Sequence, residues 1–218
     1  MKQHGGANSQ VRIAIDGFDG SGKTTLAHGI EQACASSKIS CQVIGRKANN
    51  SSAPIGALTD LILQSDGRLR PLTPSADAHI RLARLHERIA LADNSVAQVV
   101  IFDRWIPSDL SRISDATKTT HEADFELASE LANIDVLMML RTSFDTAWNR
   151  IEARSNSMSP GERLGRTHNE SLFERLELMF RLEWMTKVLQ IESTESEAAT
   201  LSSAWIQIEM LREGKGLR

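Results

Sequence analysis

Residues Gly17-Phe18-Asp19-Gly20-Ser21-Gly22-Lys23-Thr24 satisfy the pattern G-x-x-x-x-G-K-[ST] at every fixed position. Glycines at this spacing let the backbone curl until several N–H groups face one point. A helix opening at Lys23 adds the positive end of its dipole. Such a cradle suits the phosphates of ATP, with Lys23 reaching the β- and γ-phosphates and the Thr24 hydroxyl taking a place on Mg²⁺. A turn that only joins a strand to a helix needs neither the lysine nor the threonine. Gly17, Asp19, Gly20, Ser21, Gly22, Lys23, Thr24 and Thr25 are therefore the expected ATP-binding residues, and Lys23 is also expected to be catalytic.

A phosphate loop alone does not separate kinases from GTPases or mechanical ATPases. The chain has no Asn-Lys-x-Asp guanine-reading motif and no Asp-x-x-Gly after a later strand, which counts against a GTPase. Further candidates for chemistry are Asp103-Arg104, at the end of an apolar run, and the arginines 150, 154, 163 and 166 around a Ser/Pro/Gly-rich stretch. Phosphoryl transfer rests on positioning and on charge stabilisation, where one well-placed arginine can be worth on the order of 10³–10⁵ in rate. A mobile loop carrying arginines would also keep water, a competing acceptor, away from the reaction.

Those residues need a scaffold. Short β-rich apolar runs at 11–15, 41–44, 99–102, 136–140 and 188–191 alternate with helical patterns at 23–36, 55–63, 75–93, 144–153, 170–187 and 198–211. Ser75 or Thr73 could cap the third of these helices. Alternation of this kind predicts right-handed crossovers and a parallel sheet covered on both faces. The expected fold is α/β: a P-loop NTPase three-layer sandwich with a parallel five-stranded sheet and a lid loop at about 154–167. Residues 1–10 read as a flexible N-terminus and 11–218 as a single domain.

Composition is consistent with this. The 218 residues are 41% hydrophobic and 24% charged, ordinary for a globular domain. A formal charge of -3 gives no reason to expect nucleic acid or an anionic membrane as partner. No apolar run is long enough to span a bilayer, and the polar start lacks a signal-peptide core, so a cytoplasmic location is expected. Cys34 and Cys41 stand without the further ligands a zinc site needs and are expected to be plain thiols. Trp148, Trp184 and Trp205 are expected in the core, with Trp105, at a strand end, set apart.

The segment Ile13-Ala-Ile-Asp-Gly-Phe-Asp-Gly-Ser-Gly-Lys-Thr-Thr25 resembles the phosphate loop of thymidylate kinases, a family of nucleoside monophosphate kinases. Val99-Val-Ile-Phe-Asp103-Arg104-Trp105 is similar to that family's strand ending in Asp-Arg-Tyr, and Pro54-Ile-Gly56 to the opening of its second helix. Trp148–Arg154, Glu162-Arg163 and Ser171–Arg175 resemble its lid and the helix behind it, so the likeness runs over about 11–212. It implies that Asp103 helps hold Mg²⁺ through water, with Thr24 as the other metal-side residue, and that Arg104 reaches the acceptor phosphate. It also implies that Arg84 grips that phosphate and that Asp19 contacts a hydroxyl of the acceptor sugar. Where relatives carry Gly at the position of Gly20, lid arginines supply the transition-state charge; Arg150, Arg154, Arg163 and Arg166 are available, and Arg163 is favoured. Without the resemblance, Asp103-Arg104 could be an ion pair at a strand end, and Arg84, beside Arg81, Glu87 and Arg88, a solvated helix face.

The acceptor side departs from the family. Its Thr-Arg-Glu-Pro-Gly-Gly loop is replaced by the longer, more polar 45–53, where Arg46 is the surviving match. Ile80 stands where the thymine-stacking aromatic is placed, one helical turn before Arg84. The aromatic lining the deoxyribose is also missing, with Ser111 or Arg112 near its place. Base–aromatic stacking is worth roughly 1–3 kcal/mol, so thymine recognition should weaken. The expected function is ATP-dependent phosphorylation of a small phosphorylated acceptor, dTMP or a related nucleotide. A kinase of the same fold acting on another metabolite, and an ATP-binding switch that is no kinase, are the alternatives. A homodimer through helices is possible, and Ala83, Leu85 and Ile89 could serve a core or an interface.

Overall fold

The computed structural model describes residues 10–45, 72–154, 158–159, 161–185, 187–193 and 196–217. Five strands are present among them: β1 (Val11–Gly17), β2 (Cys41–Ile44), β3 (Val99–Asp103), β4 (Val136–Arg141) and β5 (Val188–Glu192). They pair in parallel in the order β2-β3-β1-β4-β5. Parallel sheets are covered on both faces and are therefore built from nearly continuous apolar runs; Val99 to Phe102 are all fully buried.

Successive side chains alternate between the two faces. Ala14, Val100, Phe102 and Leu137 pack on one side against α2 (Pro74–Asp93), α3 (Ile106–Leu110) and α4 (Asp115–Ala132). Ile13, Ile15, Ile101 and Met138 pack on the other against α1 (Lys23–Ser36) and α7 (Glu197–Gly214). The result is the three-layer sandwich. A smaller cluster joins Phe18 of the phosphate loop to α5 (Phe144–Ala153) and α6 (Arg166–Met179) through Phe144, Trp148, Ile151 and Leu176.

Helix starts follow local chemistry. Thr73, not Ser75, caps α2 by accepting from Ala76 N, with Pro74 in the first turn. Ser114, Ser143 and Ser196 cap α4, α5 and α7 in the same way.

Some expectations need correction. The 18-residue α4 falls in a stretch where the pattern suggested no element. Its buried stripe is His121, Phe125, Ala128 and Ala132, too small and mixed to register as apolar periodicity, although the Ser114 cap marked its start. Helix α6 begins at Arg166 and ends at Met179, not at 187. Beyond it Leu182, Trp184 and Met185 pack on the α2–α4 side of the core, which draws the chain out of the helix before β5. Trp105 is fully buried against Phe102, their ring centroids 4.8 Å apart. Leu85 and Ile89 lie in the core. Cys34 and Cys41 are free thiols. The helix expected at 55–63 lies outside the described residues. None of the described helices is long and apolar enough to cross a membrane.

Candidate active site

The phosphate loop leaves the sheet at Gly17 and turns through Gly20 and Gly22, whose φ values of 83° and 92° lie in the left-handed region that favours glycine. A Cβ on Gly20 would collide with the carbonyl of Ala147, so α5 packs directly onto the loop. This leaves no room for an arginine at position 20. Helix α5 instead sends Arg150 back to the loop, where it donates to Gly20 O at 3.3 Å and to Ser193 O at 2.9 Å.

Lys23 is buried and donates to the carbonyl of Phe18, with Ser21 Oγ at 3.5 Å and Asp19 at 3.8 Å. Burial, aided by the charge of Arg104, lowers it to about 8 against the pull of Asp19, Asp16 and Asp103. Thr24 Oγ1 donates to Asp103 Oδ2 at 3.1 Å, and Asp103 Oδ1 is buried without a hydrogen-bond partner. A hydroxyl, a carboxylate and an orphaned carboxylate oxygen beside a phosphate cradle are the hard-oxygen donors Mg²⁺ selects. These residues therefore fit Mg²⁺.

Asp16, not anticipated, ties the root of this loop to α3. It accepts from Ser108 N at 2.9 Å, from Gly17 N at 2.9 Å and from the Ser108 hydroxyl. Burial pushes its carboxyl up, while Ser108 and Lys23 hold it back. Its signal was an acidic residue inside an apolar strand, next to the loop.

Arg104 follows β3 with φ 72°, a conformation costly for a side-chain-bearing residue. Its N–H donates to Ile15 O at 2.9 Å, and Arg88 clamps the same turn by donating to Arg104 O at 2.7 Å and to Asp103 O and Ile44 O at 3.2 Å. Arg88 also lies over the rings of Phe102 and Trp105 at 5.5 and 5.9 Å. Arg81 bridges Asp77 and Asp109 at 2.8 and 2.9 Å. Neither is solvated, so Arg81 and Arg88 build the site wall. Arg84 lies between them on α2; burial lowers it, Asp109 opposes that, and its Nε is buried with no hydrogen-bond partner. Ile80 is half-buried one turn earlier. Arg46 lies outside the described residues.

Asp19 joins two arginines: Oδ1 to Arg104 at 2.5 Å and Oδ2 to Arg112 at 3.0 Å. Burial alone would raise this carboxyl, but Arg104, Lys23 and Arg112 together hold it far below the usual carboxylate range. Arg104 therefore follows Asp103 at the strand end and pairs with the loop carboxylate of Asp19, more than a plain strand-end pair.

A cavity of about 820 Å³ opens beside the loop, lined by Gly20–Leu26, Arg104, Arg150 and Arg154, and by Gln32 and Leu201. The arginines expected on the lid divide here. Arg150 and Arg154 line this cavity, and Arg154 pairs with buried Glu162. Arg163 is exposed, donates to Met158 O at 3.2 Å and does not line it. Arg166 pairs with Asp145 and covers the Phe144 ring at 5.0 Å. In the short turn Glu162–Leu164 the middle position, Arg163, faces solvent while Glu162 is buried.

The sequence profile of thymidylate kinases matches residues 15–199. The chain belongs to the thymidylate kinase family. This thymidylate kinase-family protein is also similar in fold to a deoxyadenosine kinase from M. mycoides, solved with the products dCMP and a flexible dCDP. That structure is 18% identical and superposes with a TM-score of 0.62 over 92% of this chain and 100% of the other. The same enzyme with bound dATP gives 19% identity and a TM-score of 0.60 over 91% and 100%. No curated protein sequence matches the chain. As a thymidylate kinase-family member it is a nucleotide or nucleoside kinase, and kinases of this family use ATP with Mg²⁺.

Proposed function

We propose that this protein transfers the γ-phosphoryl group of ATP·Mg²⁺ to a small phosphorylated acceptor, a nucleoside monophosphate. The observation that carries the reading is a phosphate loop whose lysine, threonine and Asp103 partner are in place, together with Arg84 on α2, a half-buried guanidinium whose Nε has no hydrogen-bond partner. A buried cationic donor without a partner is costly unless an anion completes it.

In this reading the triphosphate lies in the cavity over the loop, and Lys23 leaves the Phe18 carbonyl for the β- and γ-phosphates. Thr24 and Asp103 would hold Mg²⁺, which would supply positive charge to offset that of the phosphates. Arg84 and Arg104 orient the acceptor phosphate so that one of its oxygens bonds to the γ-phosphorus as the bond from that phosphorus to the bridging oxygen breaks. ADP departs with the electron pair. Arg150 and Arg154, which line this cavity, stabilise the charge of the transferring group in this reading. Residues 154–167 act as the lid that excludes water.

A nucleoside acceptor is the second reading, favoured by the fold's likeness to a deoxyadenosine kinase. ADP release measured across nucleoside monophosphates, nucleosides and sugar phosphates tests both, with Lys23→Ala as control. Stimulation by a monophosphate, lost in Lys23→Ala, supports the proposal. Stimulation by nucleosides alone moves the function to the second reading. Hydrolysis that no acceptor stimulates points to an ATP-binding switch.

A further inference from the structure

Glu162 is only 4% exposed, although the next two residues of its turn, Arg163 and Leu164, face solvent. A carboxylate is tolerated in such a place only where donors meet it. Its Oε1 accepts from Arg154 Nη2, and its Oε2 accepts from Ser159 N at 2.6 Å. The Ser159 hydroxyl in turn accepts from Glu162 N at 3.3 Å, which closes a reciprocal pair. The turn is also tied down from α6. Asn169, 2% exposed, donates from its side-chain amide to Gly165 O at 2.8 Å and to Gly161 O and Glu162 O at 3.3 Å. The backbone that carries Glu162 is therefore held by contacts in which Arg154 has no part.

Arg154 has the opposite character. It stands just past the end of α5, its side chain is 47% exposed, and it lines the ATP cavity. A long side chain at a helix end turns about several bonds, and fixing it at a reacting group costs entropy unless it is restrained beforehand. A guanidinium is a rigid planar fork, so pinning one nitrogen narrows the directions open to the others. Arg150 gains such restraint from two carbonyls, Gly20 O and Ser193 O. For Arg154 the fixed carboxylate of Glu162 supplies it. Resting on the kinase reading above, we propose that Glu162 is a positioning residue that acts through Arg154, holding its guanidinium at the ATP cavity so that the charge is in place when the phosphoryl group transfers.

A kinetic double-mutant cycle over Glu162→Gln and Arg154→Ala tests this on the intact protein, with the acceptor that stimulates ADP release most. Glu162→Gln should lower kcat by about 10–100-fold, the cost of a misplaced group at a reacting centre. The KM values for ATP and acceptor should stay within about threefold, since ground-state binding is not what Glu162 supports. In the Arg154→Ala background the same change should cost less than about twofold, because the group it acts through is gone. An equal loss in both backgrounds, a loss confined to KM, or an unchanged kcat overturns the proposal. Where Glu162→Gln does not fold, Glu162→Asp, which draws the carboxylate back by one carbon, takes its place in the cycle. Should no acceptor be phosphorylated, the kinase reading fails separately. Calorimetric binding of ADP·Mg²⁺ with fluoroaluminate, an anionic mimic of the transferring group, then decides. Weaker binding in Glu162→Gln that appears only while Arg154 is present sustains the positioning role. Binding that ignores Glu162, or depends on it equally without Arg154, overturns it.

Discussion

Thr24 Oγ1 donates to Asp103 Oδ2 across 3.1 Å, joining the first turn of α1 to the end of β3. The other oxygen of Asp103 is buried and unpartnered. The first turn of α1 and the carboxylate at the end of β3 are thus held together before any ligand binds. Asp103→Asn should raise the Mg²⁺ concentration needed for half-maximal activity by about 10–100-fold, the usual cost of losing a group that supports a bound metal. Titrating activity with Mg²⁺ at saturating ATP checks it.

Lys23 is expected to title ATP binding against pH. Its ordinary value of 10.5 falls to about 8 in the folded protein. Between the two, the unfolded chain holds more protons than the folded one, so this group makes the ligand-free protein more stable as pH rises from about 8 to about 10.5. Triphosphate binding needs the charged lysine and pulls the other way. ATP affinity should therefore decline above about pH 8, and binding just above that pH should take up protons. Calorimetry in buffers of differing ionisation heat reads the uptake. Lys23→Ala should lose about 10²–10³ in kcat.

Gly20 is fixed by its left-handed φ and by the Ala147 carbonyl behind it. Gly20→Ala should destabilise the protein by at least about 2 kcal/mol, from backbone strain together with a clash against backbone. It should also displace Arg150 from the loop and weaken ATP binding. Denaturant unfolding and ATP titration measure the two effects.

Arg150 and Arg163 should behave differently. Arg150→Ala, beside Gly20 in the ATP cavity, is expected to lower kcat by about 10³-fold, within the range known for arginines that stabilise phosphoryl transfer. Arg163→Ala, exposed and bonded to Met158, is expected to cost less than about tenfold. Parallel kcat measurements decide between them. A larger loss in Arg163→Ala would show that the turn at 162–164 swings inward during turnover.

Arg88 is a stability residue as much as a site residue. Arg88→Met strips donors from three carbonyls, at Ile44, Asp103 and Arg104. The expected loss is about 3 kcal/mol, given about 1–3 kcal/mol for each buried acceptor left unmade. Urea unfolding measures it, and slower turnover should accompany it as the strained turn at Arg104 relaxes.

The sequence by itself determined what is local: the phosphate loop, the strands that meet in the sheet, and a cap at Thr73 or Ser75, between which the structure chose Thr73. Glycine spacing, β-branched runs and caps act within a few residues, so their consequences can be read along the chain. The tertiary structure decided which charges meet. Arg112 reaches Asp19 across 93 residues, and Arg150 reaches Gly20 across 130. Arg81 and Arg88 look like a charged helix face until Asp109 and the Arg104 turn are packed against them. Helix α4 stayed hidden because its buried stripe mixes small and polar residues with a single aromatic, Phe125, and is buried by packing against α2 and the rest of that core. A charged side chain carries the same letter whether it faces water or a buried carbonyl. The packing of distant elements settles that choice, because burial and partner together set the cost of a charge.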